Sequence, residues 1–332
     1  MFQQKDAIFV GVLILVLALL LRLVSAVGIF PLKSTDFISF LVYLQTGRVV
    51  QLSETMQPEE PQSATPTTPK PQTAPSLQLS AQDAAAVKLN DLAGYQPDLE
   101  KLLLSPLNWN LTGHSPTVLI IHTHATESYT KQPGEIYEED SDYRTFNPSY
   151  NMLSIGEELT RVLTAGGIFV LHDRTLHDYP SYSGSYDHAR KTIAAYLEAF
   201  PTITMVIDLH RDALDFETDP QLTTLAQVDG SRSAQLMLVT GTDQNLAFDN
   251  WEENLAVGVK LTALLEKMYP GITRPIQSRP QRFNLDMTPG SLLVEVGANG
   301  NTHQEALTAV RALGAAILAM AQGVNLQNAP PS

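Results

Sequence analysis

The chain contains no cysteine in its 332 residues. That excludes a disulfide scaffold and any thiolate metal site, and it leaves the compartment open, since exported and cytosolic proteins both tolerate it. Positive charge is also scarce. Lys and Arg number 21 against 35 Asp and Glu, a formal charge of −14. Phosphate backbones are bound by concentrated Lys and Arg, so nucleic acid is excluded as a partner. The acidic surplus names no substrate, because it is a common route to solubility. No Gly-rich phosphate loop follows the first apolar strand, and no Gly-x-Ser-x-Gly turn occurs anywhere.

What is present divides the chain by composition. Ala7 to Leu21 has no polar side chain, and the apolar run reaches Phe30 with Arg22 and Ser25 as its interruptions. About 20 such residues cross a bilayer, and Arg22 is placed to snorkel. A cleaved signal peptide is the rival, with Val24-Ser25-Ala26 as its small-residue site; a retained anchor is the reading favoured. Residues 1–6 are then cytoplasmic, 7–30 the anchor and 31–56 a juxtamembrane segment. The Pro- and Thr-rich stretch 57–80, with prolines 58, 61, 66, 69, 71 and 75, cannot bury enough surface to order itself and is expected as a stalk. Everything beyond is exported, on a single-pass protein of the cell membrane.

From residue 81 the pattern becomes globular, with lead-in helices expected over 81–115 and one domain over 116–325. Val118–Ile121, Ile168–Leu171, Ile203–Leu209, Leu236–Val239 and Leu292–Val296 are apolar runs that predict buried strands. Helical spacing connects them at 152–163, closed by Gly166-Gly167, and at 189–200, 255–265 and 305–321. Such alternation predicts an α/β domain, a single largely parallel sheet flanked by helices.

Sites in such sheets lie beyond the carboxyl ends of strands. The first strand ends in His122-Thr123-His124-Ala125-Thr126-Glu127-Ser128, another in Asp208-Leu209-His210-Arg211-Asp212, and a late strand carries Glu295. Catalytic zinc takes three nitrogen or oxygen ligands, with a further carboxylate as base. Two histidines and two carboxylates supply that set. In extended chain His122 and His124 face one way, so both are candidate ligands. A carboxylate in an apolar strand, like Glu295, is costly to bury without a partner or cation. The His-Asp pairs 172–173 and 177–178 come without a suitably placed nucleophile, and Glu138, Glu139, Asp140 and Asp142 are expected as a solvated loop.

The strings IIHTHATESY (120–129), LHDRTLHDYPSYSGSY (171–186), DLHRDA (208–213), YPGITRPI (269–276), RFNLDM (282–287) and LLVEVGANGNTHQEA (292–306) closely resemble the stage II sporulation protein P family. Through it the chain is similar to zinc-dependent N-acetylmuramoyl-L-alanine amidases. That resemblance implies an amidase-like fold and Zn2+ held by His124, with His122 one slip away, together with His210. It makes Glu295 of Leu-Val-Glu-x-Gly the acid/base. The glutamate ligand of amidases has no counterpart in Asn147 to Asn151, and Glu127 is its substitute. Arg211 is placed to hold a stem-peptide carboxylate. The implied activity is amidase, with endopeptidase as a second specificity, on peptidoglycan during spore engulfment, beside stage II sporulation proteins D and M. The alternatives are a non-catalytic wall-binding scaffold and a metal-dependent polysaccharide deacetylase.

Overall fold

A computed structural model describes residues 79–107, 109–139, 143–214 and 222–327. The expected cytoplasmic residues, anchor, juxtamembrane segment and all but the last two residues of the stalk lie outside them. Strands are β1 Leu89–Asp91, β2 Val118–Ile121, β3 Val170–His172, β4 Met205–Asp212, β5 Leu225–Val228, β6 Ser231–Ala234, β7 Leu236–Gly241, β8 Ile276–Arg279 and β9 Leu292–Ala298. Helices are α1 Leu99–Leu104, α2 Met152–Ala165, α3 Ser185–Ala199, α4 Trp251–Met268 and α5 His303–Gln327.

Seven strands form one sheet in the order β1-β8-β7-β9-β4-β2-β3. Every neighbouring pair is parallel except β7 with β9, so the largely parallel sheet expected is two parallel blocks that meet back to back. Val118–Ile121 is buried at all four positions, as a strand covered on both faces must be. On one face Ile120, Ile207, Leu209, Leu238 and Val294 pack with α2, α4 and α5 in the main core. On the other, Leu119, Ile121 and Val206 meet Ala189 and Ile193 of α3.

Local chemistry sets the boundaries. Asn151 caps α2 by accepting from Leu153 N at 3.0 Å. Thr302 and Glu305 form a capping box for α5, each accepting the other's backbone N–H at 3.1 Å. Gly167 at φ +88° ends α2 and sends Ile168 N back to Leu163 O. That consumes Ile168 in helix termination, so β3 starts two residues later than the apolar run suggests. The 81–115 stretch, expected as lead-in helices, holds a 3-10 turn at Ala81–Ala86, strand β1 and the short α1. The Asp91 carboxylate accepts from Gly94 N and Gln96 N and bends the chain after the strand. Asp229-Gly230, both at positive φ, turn the β5–β6 hairpin. Among the described residues α5 alone is long and apolar enough to cross a membrane; its Ala306, Val310, Leu313 and Ile317 are buried in the core.

Helix α2 lies so close to the sheet at Gly156 that an added Cβ would stand 2.5 Å from both His122 Nε2 and His172 Nε2. Gly156→Ala gains about 1 kcal/mol of helix propensity, against roughly 1–3 kcal/mol for overpacking a buried contact. The clash, with two imidazoles rather than a flexible chain end, wins. The variant should be less stable by up to about 2 kcal/mol by urea denaturation; a higher midpoint would mean that α2 slides freely on the sheet.

Candidate functional site

Strands β9, β4 and β2 are adjacent and parallel, so their carboxyl ends share one sheet edge. Register pairs Ile121 with Asp208, and His210 with Glu295. Residues in register on parallel neighbours face the same way, and alternation then puts Asp208, His210 and Glu295 on the α3 face. Pairing between β4 and β9 shifts just beyond, where Asp212 meets Ala298. The extra residue is taken up around Gly297, at φ +71°, where a Cβ would stand 2.7 Å from that of Ala234. The glycine of Leu-Val-Glu-x-Gly thus builds a bulge that ends regular pairing at Glu295.

Asp208 accepts from Thr123 N at 2.8 Å and from Thr123 Oγ1 at 2.6 Å, which pins the turn after β2 to β4. That turn delivers His124 to His210, their rings 5.2 Å apart and nearly perpendicular. Tyr186, on the first turn of α3, stands 5.7 Å from the His124 ring and 6.4 Å from that of His210. Tyr182 lies flat on His124 at 4.3 Å. Glu127 Oε2 is 3.6 Å from His210 Nδ1 and accepts from Arg211 N at 3.2 Å. Its Oε1 is 3.4 Å from Arg144 Nη2.

His122 goes elsewhere. Regular strand ends at Ile121 and the chain turns through Thr123–Thr126, so the same-side expectation for residues two apart fails. His122 Nδ1 lies 3.2 Å from Leu209 O and its Nε2 2.8 Å from His172 Nε2, beneath Gly156 of α2. A carbonyl only accepts, so Nδ1 carries the His122 proton and His172 donates to the bare Nε2. Burial pushes His122 down to about 4 and His172 well below the usual imidazole value, which keeps the pair neutral. Of the two ligand candidates in His-Thr-His, the structure brings His124 to the group.

Arg211 also departs from its expected substrate contact. It is buried, with Nε donating to Ser128 O at 2.9 Å and Nη2 to Tyr143 O at 3.1 Å. One residue beyond His210, it faces the other way and ties down the loop that carries Glu127. The two His-Asp dipeptides are dispersed as well. His172 meets His122, Asp173 pairs with His177 at 3.1 Å, and Asp178 accepts from Thr126 Oγ1 at 2.6 Å and Arg144 Nη1 at 3.0 Å. Of the acidic run, Glu139 accepts from Ser128 Oγ at 3.1 Å.

The electrostatics of the group are those of neighbours out of water. Burial opposes charge on His210, but Asp208 and the other anions around it hold its pKa well above 6.5, and His210 holds Asp208 down in return. Burial likewise opposes charge on Glu127, yet His210 and Arg211 keep its carboxyl near 2. Burial and then the charge of His210 push His124 down to about 4. Glu295 goes the other way. Burial, opposed by His210 and reinforced by Glu127 and Asp212, raises it to about 8.

Three buried atoms in this group have no hydrogen-bond partner: His124 Nδ1, His210 Nε2 and Glu295 Oε2. Asp208 Oδ1 is 3.0 Å from His210 Nε2, but out of line for a hydrogen bond. Leaving such atoms unpaired costs about 1–3 kcal/mol each. Once His210 has given up its extra proton, two imidazole nitrogens beside a carboxylate are donors of the kind zinc takes. Among the described residues no three His, Asp or Glu side chains are arranged to hold a metal as they stand; Glu127 would have to turn from its arginines. Asp208, Tyr182, Tyr186 and Arg144 were missed as site residues. For Asp208 the signal was there, two positions before His210 on the same strand.

The stage II sporulation protein P family model matches residues 37–318. Stage II sporulation protein P of Bacillus subtilis (strain 168) is 29% identical over 214 residues, which cover 60% of this chain and 50% of that relative. The chain thus spans about half the length of the relative it matches. Among solved structures, it is similar to the CwlD amidase from Clostridioides difficile in complex with the GerS lipoprotein, at TM-score 0.35 and 15% identity over 64% of this chain and 100% of that one. It is also similar to the N-acetylmuramoyl-L-alanine amidase AmiC2 of Nostoc punctiforme, at TM-score 0.39 and 14% identity over 63% and 99%. Superpositions this loose assign no residue a role. The family match, by contrast, runs across most of the chain and takes in His124, His210 and Glu295: the chain belongs to the stage II sporulation protein P family.

Proposed function

We propose that this protein is a zinc-dependent peptidoglycan hydrolase that cleaves amide bonds of the stem peptide, as an N-acetylmuramoyl-L-alanine amidase, in spore engulfment. The observation that carries this reading is the set of unpartnered buried atoms on His124, His210 and Glu295 at one sheet edge. Family membership supports the sporulation setting. Endopeptidase cleavage is a second specificity of the same site. The apolar run 7–30 anchors the protein with its catalytic domain outside the cytoplasm, and stage II sporulation proteins D and M are its proposed partners.

His124 and His210 would hold the ion, with Glu127 as the carboxylate ligand. When bound, zinc supplies Lewis-acid polarisation of the scissile carbonyl and a more acidic attacking water. Glu295 takes the water's proton on Oε2 and returns it to the leaving amine. A carboxyl held near 8 is protonated at neutral pH; positive charge beside it brings it down to where it accepts a proton. Asp208, fixed by Thr123, orients His210, while Tyr182 and Tyr186 keep water from the imidazoles.

Elemental analysis of the purified chain should find close to one zinc. His124→Ala and His210→Ala should lose it, whereas His122→Ala should keep it for the fraction that folds. A folded wild-type chain that neither contains nor takes up zinc would overturn the ligand set.

Glu295→Gln keeps the shape of the side chain but removes the basic atom. Zinc content should survive, and release of muropeptides from purified wall should fall by roughly two to four orders of magnitude. Mass spectrometry should show new free amino groups on alanine; acetate release in their place would indicate a deacetylase. Wild-type rates in Glu295→Gln would remove it as the base, and loss of zinc would make it a ligand.

A further inference from the structure

The segment Tyr179-Pro180-Ser181-Tyr182-Ser183-Gly184-Ser185-Tyr186 has no charged side chain, in a protein of formal charge −14. It leads from the surface to the His124–His210 group. Tyr179 and Tyr182 are 58% and 59% exposed, and Phe146, across from them, is 62% exposed. Phe146 meets Tyr179 edge to face at 5.1 Å and 82°. Tyr182 lies parallel to His124, 9° between the planes, and the Arg144 guanidinium stands 4.9 Å from the Tyr182 ring. Two ring contacts thus lie along this stretch, the exposed Phe146–Tyr179 pair and, three residues on, Tyr182 against a candidate ligand. Leaving that much apolar surface in water is unfavourable unless something covers it.

The chemistry of the strip selects the occupant. Exposed rings interleaved with the hydroxyls of Ser181 and Ser183 offer flat apolar faces and neutral hydrogen bonds, and no charge within the segment. A basic protein or an anionic membrane would be met by opposite charge. A pyranose ring has the matching surface, with C–H faces that pack on aromatic rings and hydroxyl and acetamido groups at its edges. We infer that Phe146, Tyr179 and Tyr182 form a subsite for N-acetylated hexose units of the glycan strand. This rests on the proposed hydrolase reading for the substrate, and it places the sugars beside the amide to be cut.

Phe146 and Tyr179 lie outside the His124–His210–Glu295 group, so they can be changed without touching it. The probe is the β-1,4-linked tetramer of N-acetylglucosamine, titrated calorimetrically into the full chain carrying Glu295→Gln. Adding Phe146→Ser and Tyr179→Ser should weaken binding about tenfold or more, the scale of losing a stacked ring at a binding centre. Tyr179→Phe should preserve it, and thermal unfolding should not move, because both rings are exposed. On intact wall, with Glu295 restored, the double variant should raise KM and leave kcat alone. Failure of the parent chain to bind the tetramer, or equal binding by the double variant, overturns the subsite, as does a protein partner captured by these rings in place of sugar. The two readings separate cleanly. A chain that cuts wall amides but ignores the tetramer keeps the hydrolase and loses the subsite. A chain that binds the tetramer through these rings and cuts no amide does the reverse.

Discussion

The register of three parallel strands governs the rest of the molecule. Side chains alternate faces with a period of two, so pairing Ile121 with Asp208 and His210 with Glu295 commits Asp208, His210 and Glu295 to one face. A slip of one residue in β4 would bury Arg211 among the acids and turn His210 into the main core. The same alternation explains Arg211. Sitting one step out of phase, it cannot join the group, and it satisfies the carbonyls of Ser128 and Tyr143 instead. One strand thus supplies a candidate ligand and, beside it, the clamp for the loop that brings Glu127.

Burying several titratable groups together is unfavourable one by one and is made tolerable by their pairing. Asp208 is held by two bonds from Thr123 and stands beside His210. Glu127 lies among Arg144, Arg211 N and His210. Within this group, what pairing does not satisfy lies on His124, His210 and Glu295. Those open atoms separate this group from the His122–His172 and Asp173–His177 pairs, whose ring nitrogens bond to each other or to a carboxylate. Histidine content near a strand end does not distinguish the two situations; the partner of each ring nitrogen does.

Much of this was legible in sequence and some was not, for physical reasons. Strands β2, β4 and β9 each begin with an apolar run, and such runs mark strands covered on both faces. Their ends therefore announced His124, His210 and Glu295 together. The choice between His122 and His124 was hidden because it depends on where extended chain stops, and Asp208 fixes that through a contact 85 residues away in sequence. Strands β1, at the sheet edge, and β8, next to it, are only partly apolar and lack the pattern. Tyr182 and Phe146 carry no periodic signal at all, since their importance comes from exposure beside a site that the chain assembles from distant parts.

The two faces of the sheet are built unequally, and this places the opening. One face is sealed by α2, α4 and α5 into a continuous core. The other is divided. Leu119, Ile121 and Val206 pack under α3 on one side, while Met237, Val239 and Leu293 pack with Phe248 and Leu285 on the other. Asp208, His210 and Glu295 lie on the strands between those two clusters, where the apolar layer is interrupted. A polar group there is sheltered on both flanks, which strengthens its electrostatics, and Glu295 is left half-buried rather than sealed. The exposed Tyr179 and Tyr182 lie on the loop that enters α3, the wall of that gap, so the approach to the site is lined by the chain leading into the element that shelters it.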